Sequence, residues 1–147
     1  MATDEKVSFS AEERAAMKEY AAELKAEKKR KGTADKAAQD EADLVAKIAE
    51  LTGDDRVLAE KVHALVREHA PELAPKTWYG MPAYNRDGRA IVFFQPASKF
   101  KARYSTLGFN DGAKLDDGAM WPTSYALTTI GPAEEKTLIE LIRRAAG

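Results

Sequence analysis

The chain has 147 residues, of which 44% are hydrophobic and 32% charged, and its formal net charge is −1. This length and balance predict one globular domain around a single hydrophobic core, and they exclude disorder throughout. The near-neutral charge gives no overall attraction to nucleic acid, and no apolar run is long enough to span a bilayer. The absence of cysteine excludes disulfides and thiolate metal sites and favours a cytoplasmic location.

The first predicted helix begins at Ser10, because Ser10 and Glu13 have the spacing of a capping box. Its apolar stripe is thin, and a basic run at 28–31 leads to Gly32, a favoured helix end. Cations in this place complement the helix dipole, so we interpret them as a solvated helix end rather than a nucleic-acid contact. Residues 1–32 are therefore predicted to form a charged helical extension or arm, which offers a surface to a protein partner.

The remaining residues, 33–147, change in texture at Pro75. Ala, Glu and Lys dominate before it, whereas Trp, Tyr, Phe, Gly and β-branched residues follow it. One helix is predicted at 33–51, and a second begins at Asp54 or Asp55, which would cap it, and ends at His69. A last helix is predicted from residue 131. Between them, extended segments are predicted at 75–84, 90–94, 100–109 and 124–130. Such segregated runs predict an α+β fold, a two-layer sandwich in which helices cover an antiparallel sheet of four to five strands.

The aromatic segment at 78–84, Trp-Tyr-Gly-Met-Pro-Ala-Tyr, resembles the Tyr-Gly-Met-Pro-x-aromatic signature of the YdhG-like family of small bacterial proteins. The resemblance extends over roughly residues 40–146 and leaves the first helix outside it. It implies a frataxin-like fold, and some members of that family are described as iron chaperones. An Arg-Phe pair that is common in the family's final strand is missing from Tyr125–Thr129.

The resemblance also implies where iron would bind. Frataxin-type proteins hold ferrous iron weakly through surface carboxylates on the helix that precedes the first strand. The matching residues here are Asp40, Glu41, Asp43 and Glu50. Solvated helix faces also carry such carboxylates, so both interpretations are kept.

A second candidate site follows from the residues themselves. Gly80 and Pro82 interrupt the aromatic segment, and a broken strand with aromatic walls favours a pocket for a small molecule. Lys99, directly before the predicted strand 100–109, alternates with Lys101 and Arg103 within it, and these cations would provide anchors for an anion. The proposed ligand-binding set is Trp78, Tyr79, Met81, Tyr84, Lys101 and Arg103. The alternative is structural, with the aromatic side chains in the core and the lysines on a solvated face.

The chain contains no recognisable catalytic motif, so a non-enzymatic binding protein is the expected class. The first hypothesis is a weakly iron-binding chaperone, and the second is a protein that binds a small molecule or anion in the aromatic pocket. The third is an interaction module that uses its first helix. We expect neither a membrane nor a nucleic-acid partner.

Overall fold

The computed structural model describes residues 8–147. The helices are α1 (Ala11–Arg30), α2 (Lys36–Glu50), α3 (Gly53–His69) and α4 (Pro132–Ala146). The strands are β1 (Ala74–Trp78), β2 (Met81–Arg86), β3 (Arg89–Gln95), β4 (Ser105–Phe109) and β5 (Ser124–Leu127), and a 3-10 helix spans Ala97–Phe100. The predicted α+β class is confirmed, with three helices before a five-stranded sheet and one helix after it. Among the described residues, no helix has the length and apolarity needed to cross a membrane.

The sheet is an antiparallel meander in which each strand pairs with the next, in the order β1 to β5. Two of its connections are two-residue turns, Tyr79–Gly80 and Asp87–Gly88, with all four residues at positive φ. Turns of this kind match the twist of the paired strands. The Asp-Gly pair at 87–88 is a sequence that favours such a hairpin turn, and the interruption predicted at Gly80 is the other tight turn.

The inner face of the sheet packs against α2, α3 and α4. Because side chains alternate along a strand, Tyr84, Val92, Phe94 and Leu107 all lie on this face, and all four are fully buried. They meet apolar side chains of the helices, among them Leu44, Val62 and Ile142. This contiguous apolar cluster is the hydrophobic core.

The outer face is built differently, because aromatic rings cover it in place of a helical layer. Phe93 and Gly108 are paired across β3 and β4, and the Phe93 ring lies where a side chain at Gly108 would be. The Trp78 ring packs beside Phe93, with 5.2 Å between centroids. Glycine at position 108 therefore makes room for the ring that shields this part of the sheet.

Helix α1 contacts β1, the edge strand, and the 3-10 helix. Its predicted capping box is confirmed: Ser10 Oγ accepts from the Glu13 backbone N–H at 3.0 Å, and Glu13 Oε1 accepts from Ser10 N–H at 3.1 Å. An unprotected edge strand invites pairing with other chains, and a covering helix prevents it.

Three local predictions are wrong. Asp54 and Asp55 do not cap α3; Thr52 precedes its first residue, Gly53, and the Asp55 carboxylate instead accepts hydrogen bonds from Ser98 N and Ser105 Oγ. Residues 100–104 are not part of a strand, since the chain turns after Pro96 into the 3-10 helix. The last strand also ends earlier than predicted, at Leu127.

Candidate binding cavity beside helix α1

A cavity of about 460 Å³ lies between α1, the edge strand β1 and the turn that joins β2 to β3. Residues of α2 and of the segment that follows β4 complete its wall. We name it the α1 cavity. Its lining is Tyr20, Glu23, Leu24, Glu27, Lys36, Asp40, Ala74, Lys76, Thr77, Trp78, Asn85, Asp87, Gly88, Arg89, Ala90, Asn110, Asp111 and Gly112.

A row of aromatic rings forms one side of the α1 cavity. Tyr20 of α1 stacks on Tyr79, with ring centroids 4.1 Å apart and planes inclined by 8°. Tyr79 meets Trp78 edge to face at 5.1 Å, and Trp78 in turn packs on Phe93. Aromatic pairs in these geometries contribute about 0.5–1.5 kcal/mol each beyond the area they bury. The row therefore fixes the two rings that line the cavity, Tyr20 and Trp78.

Ion pairs occupy the inner end of the α1 cavity. Lys76 donates to Glu27 at 2.8 Å, and Lys36 donates to the buried carboxylate of Asp40 at 2.7 Å. Burial opposes the ionisation of Asp40, but hydrogen bonds from Lys36 and Arg30 outweigh it, so the pKa of this carboxyl lies below its ordinary value. The hydrogen bond from Lys76 likewise lowers the pKa of Glu27. These charges satisfy one another and hold the wall together.

The outer rim has polar groups without such partners. Arg89, Asp87 and Asp111 are exposed, and none of them forms an ion pair with any residue of the described range 8–147. Asn85 Oδ1 is buried and accepts no hydrogen bond in the structure. An unpaired buried acceptor costs about 1–3 kcal/mol, so it gains free energy from any donor that reaches it. The cavity therefore combines one unpaired buried acceptor, Asn85 Oδ1, with exposed charges of both signs at Asp87, Arg89 and Asp111.

The structure does not bring the six predicted ligand-binding residues together. Trp78 lines the α1 cavity, Tyr79 supports its aromatic wall, and Met81 is buried beside them. Tyr84 lies on the opposite face of the sheet, where its hydroxyl is 3.0 Å from His63 Nδ1 and burial raises its pKa.

The two predicted anchors lie in the turn after the 3-10 helix rather than on a sheet face. Lys101 adopts a left-handed conformation and pairs with Glu12 at 2.9 Å. Arg103 lies over the ring of Tyr104, with 5.2 Å between the guanidinium carbon and the ring centroid. Lys99, Lys101 and Arg103 do not alternate along one face of a sheet, because residues 99–104 are not extended.

The four carboxylates predicted to bind iron all lie beside cations. Asp40 and Asp43 both accept from Arg30, at 3.1 and 2.6 Å. Glu41 lies 3.2 Å from Arg67, and Glu50 lies 3.2 Å from Lys47. Within residues 8–147, no three His, Asp or Glu side chains are grouped so that they could hold a metal ion. Iron binding stays a prediction, and an iron ion would compete with these lysines and arginines.

Sequence reasoning missed most of the cavity. The sequence gives no reason to place Tyr20, Lys76 or Asn85 in a binding site. One signal was available: four glutamates recur along α1 at spacings of seven, four and four residues, which places them on one helix face. No family model, no curated protein and no solved structure matches the chain.

Proposed function

We propose that the protein binds a small molecule in the α1 cavity and acts by binding rather than by catalysis, in the cytoplasm. The observation that carries this proposal is the composition of one cavity: an aromatic wall, a buried acceptor without a partner and one cation free of ion pairs within residues 8–147. Small-molecule sites combine apolar and aromatic walls with a few polar groups in this way.

The lining defines the class of ligand. A planar ring stacks on Trp78, a donor on the ring satisfies Asn85 Oδ1, and an acidic substituent pairs with Arg89. Asp87 and Asp111 lie on the same rim and repel further negative charge. The preferred ligand is therefore an aromatic or heterocyclic compound with a single carboxylate, and not a polyphosphate.

Trp78 makes this proposal directly testable, because the chain has only one other tryptophan. In a Trp121→Phe background, Trp78 fluorescence is titrated with indole-3-carboxylate, nicotinate and benzoate, and with benzamide as the uncharged control. We expect saturable quenching by at least one acid and little by benzamide. The same titration followed by amide NMR should perturb residues 76–78, Asn85 and Arg89 first.

Two arginines at the ends of paired strands provide a matched comparison. Arg89 lines the cavity, whereas Arg86, its partner across β2 and β3, does not. Arg89→Ala should weaken binding about tenfold, the effect of one charge-assisted hydrogen bond, and Arg86→Ala should leave it unchanged. Equal effects of the two substitutions, or no saturable response to any of the acids, would contradict the proposal.

A further inference from the structure

Helix α1 is held to the rest of the protein by its acidic side chains. Glu12, Glu19, Glu23 and Glu27 lie on one face of the helix, and each meets a cation or a backbone donor of the domain. Only Ala16 is buried among the residues of α1, while Met17 and Leu24 remain exposed. The helix is therefore attached through charge and hydrogen bonds, with little burial of apolar surface.

The central contact is made by Glu23 at the Tyr79–Gly80 turn. Its two carboxylate oxygens accept the backbone N–H groups of Tyr79 and Gly80, at 2.7 and 2.9 Å. Consecutive N–H groups that converge at a positive-φ turn form a concave site for anions. Tyr20, three residues before Glu23, stacks on the ring of Tyr79. The turn thus recognises a carboxylate together with a neighbouring aromatic ring.

Lysines surround this turn on the surface that α1 covers. Glu19 pairs with Lys47 at 3.1 Å and with Lys99 at 3.3 Å, and Glu27 is held by Lys76 at 2.8 Å. We name this surface the α1-binding face, and it consists of Lys36, Lys47, Lys76, Lys99 and Lys101 with the N–H groups of Tyr79 and Gly80. These pairs are partly open to solvent, since the Glu19 and Glu27 side chains keep 31% and 37% of their surface accessible, so salt weakens them and the occupant is exchangeable.

We propose that the α1-binding face docks an acidic helix of a partner protein, and that α1 is the intramolecular occupant which the partner displaces. The partner helix carries carboxylates in the spacing of Glu19, Glu23 and Glu27, with an aromatic residue in the place of Tyr20. This docking function goes beyond small-molecule binding, and because Tyr20, Glu23, Leu24 and Glu27 line the α1 cavity, a partner that displaces α1 also removes that wall of the cavity. A nucleic acid fits less well, because the buried carboxylate of Asp40 lies among the lysines.

The test measures the binding of a fluorescein-labelled peptide of residues 8–32 to two forms of the full chain. One is the wild type, and the other carries Glu19→Gln, Glu23→Gln and Glu27→Gln, which loosen its own α1. We expect the loosened chain to bind the peptide at least about tenfold more tightly, since its resident helix competes less. A peptide with the same three glutamines should bind poorly, and added NaCl should weaken the native complex.

A designed helix separates the proposed chemistry from simple recognition of α1. It keeps the three glutamates and Tyr20 and has Ala and Gln elsewhere, and it should displace the native peptide; a version with shuffled glutamates should not. In the loosened chain, Lys99→Gln should weaken binding, while Lys136→Gln on α4 should not. Circular dichroism and amide NMR spectra verify that each variant is folded. Binding of the designed helix to the wild-type chain is measured as well, because that result does not depend on any substitution in the protein.

Three results would overturn the proposal. The first is absence of peptide binding to the loosened chain at low salt, and the second is failure of the designed helix to compete. The third is a different occupant: concentration-dependent dimers in light scattering would assign the face to a second copy of the chain, and preferential binding of a DNA duplex would assign it to nucleic acid.

Discussion

The two faces of the sheet are covered by opposite physical means. On the inner face, helices α2, α3 and α4 bury a contiguous apolar cluster. On the outer side, aromatic rings shield the strands and α1 closes the edge through glutamates and lysines. Apolar burial supplies most of the free energy of folding, whereas exposed ion pairs supply little. The inner face therefore supplies most of the stability of the fold, whereas the outer side contributes less and carries both proposed binding sites.

Two consecutive phenylalanines allow this comparison to be measured directly. Phe94 is fully buried in the core, while Phe93 lies half-buried on the outer face over Gly108. Phe94→Ala should lower the free energy of unfolding by about 3–5 kcal/mol, because it leaves a cavity in close-packed surroundings. Phe93→Ala should cost roughly half as much, since solvent and the Trp78 ring fill part of the space. Urea denaturation of both variants measures the difference, and equal losses would show that the two faces contribute alike.

The glycines of the two tight turns probe the attachment of α1. Gly80 and Gly88 each occupy the second turn position, with φ of 75° and 77°. An alanine at Gly88 meets open space, so only backbone strain of about 1 kcal/mol is expected. An alanine at Gly80 collides with the Glu19 carboxylate as well, and should cost about 1 kcal/mol more. Protease cleavage within α1 should also accelerate only in Gly80→Ala; equal costs and unchanged proteolysis would mean that α1 does not pack closely on this turn.

The smallest expected effect is the pH dependence of the free energy of unfolding, and it comes from His63 on the inner side of the sheet. Burial lowers the pKa of His63, Glu41 opposes this shift, and Arg67 adds to it. The unfolded chain takes up this proton near its ordinary pKa of about 6.5, and the folded protein only at lower pH. The unfolded state therefore binds more protons in this window, so the free energy of unfolding should fall as pH drops below about 6.5.

Chemical denaturation between pH 8 and pH 5 measures that slope. His63→Gln should flatten it, even though the substitution also alters the contact with Tyr84. Glu41→Gln removes the anion that favours protonation of His63 and should steepen it. A slope that is identical in all three proteins would rule out His63 as its source.

Sequence periodicity predicts the secondary structure correctly wherever the local pattern and the tertiary structure agree. The capping box at Ser10, the helices and the turn at Asp87 were all predictable, because capping and turn chemistry act over a few residues. Residues 99–104 show the opposite case. Their alternation fits a strand, but Ser105 Oγ, which accepts from Ala97 N–H, and Asp55, which accepts from Ser98 N–H, hold the chain in a turn. Those contacts depend on the fold and leave no periodic signal.

The α1 cavity was beyond prediction for a similar reason. Trp78 was identified, but Tyr20 reaches the cavity only because α1 docks beside Asn85 and Arg89, which the β2–β3 hairpin holds together. The docking in turn depends on glutamates that resemble an ordinary solvated face. Charge complementarity between distant segments is invisible until both surfaces are known.

The attachment of α1 also bears on the order in which the chain acquires its structure. The meander joins strands that follow one another in sequence, whereas the hydrogen bonds of Glu27, Glu23 and Glu19 reach 49, 56 and 80 residues ahead. During synthesis at about 5–20 residues per second, these glutamates wait for several seconds before their partners emerge from the ribosome. The helix that is made first therefore docks only after the first three strands have been made, and a nascent chain presents its acidic face before the partners of that face exist.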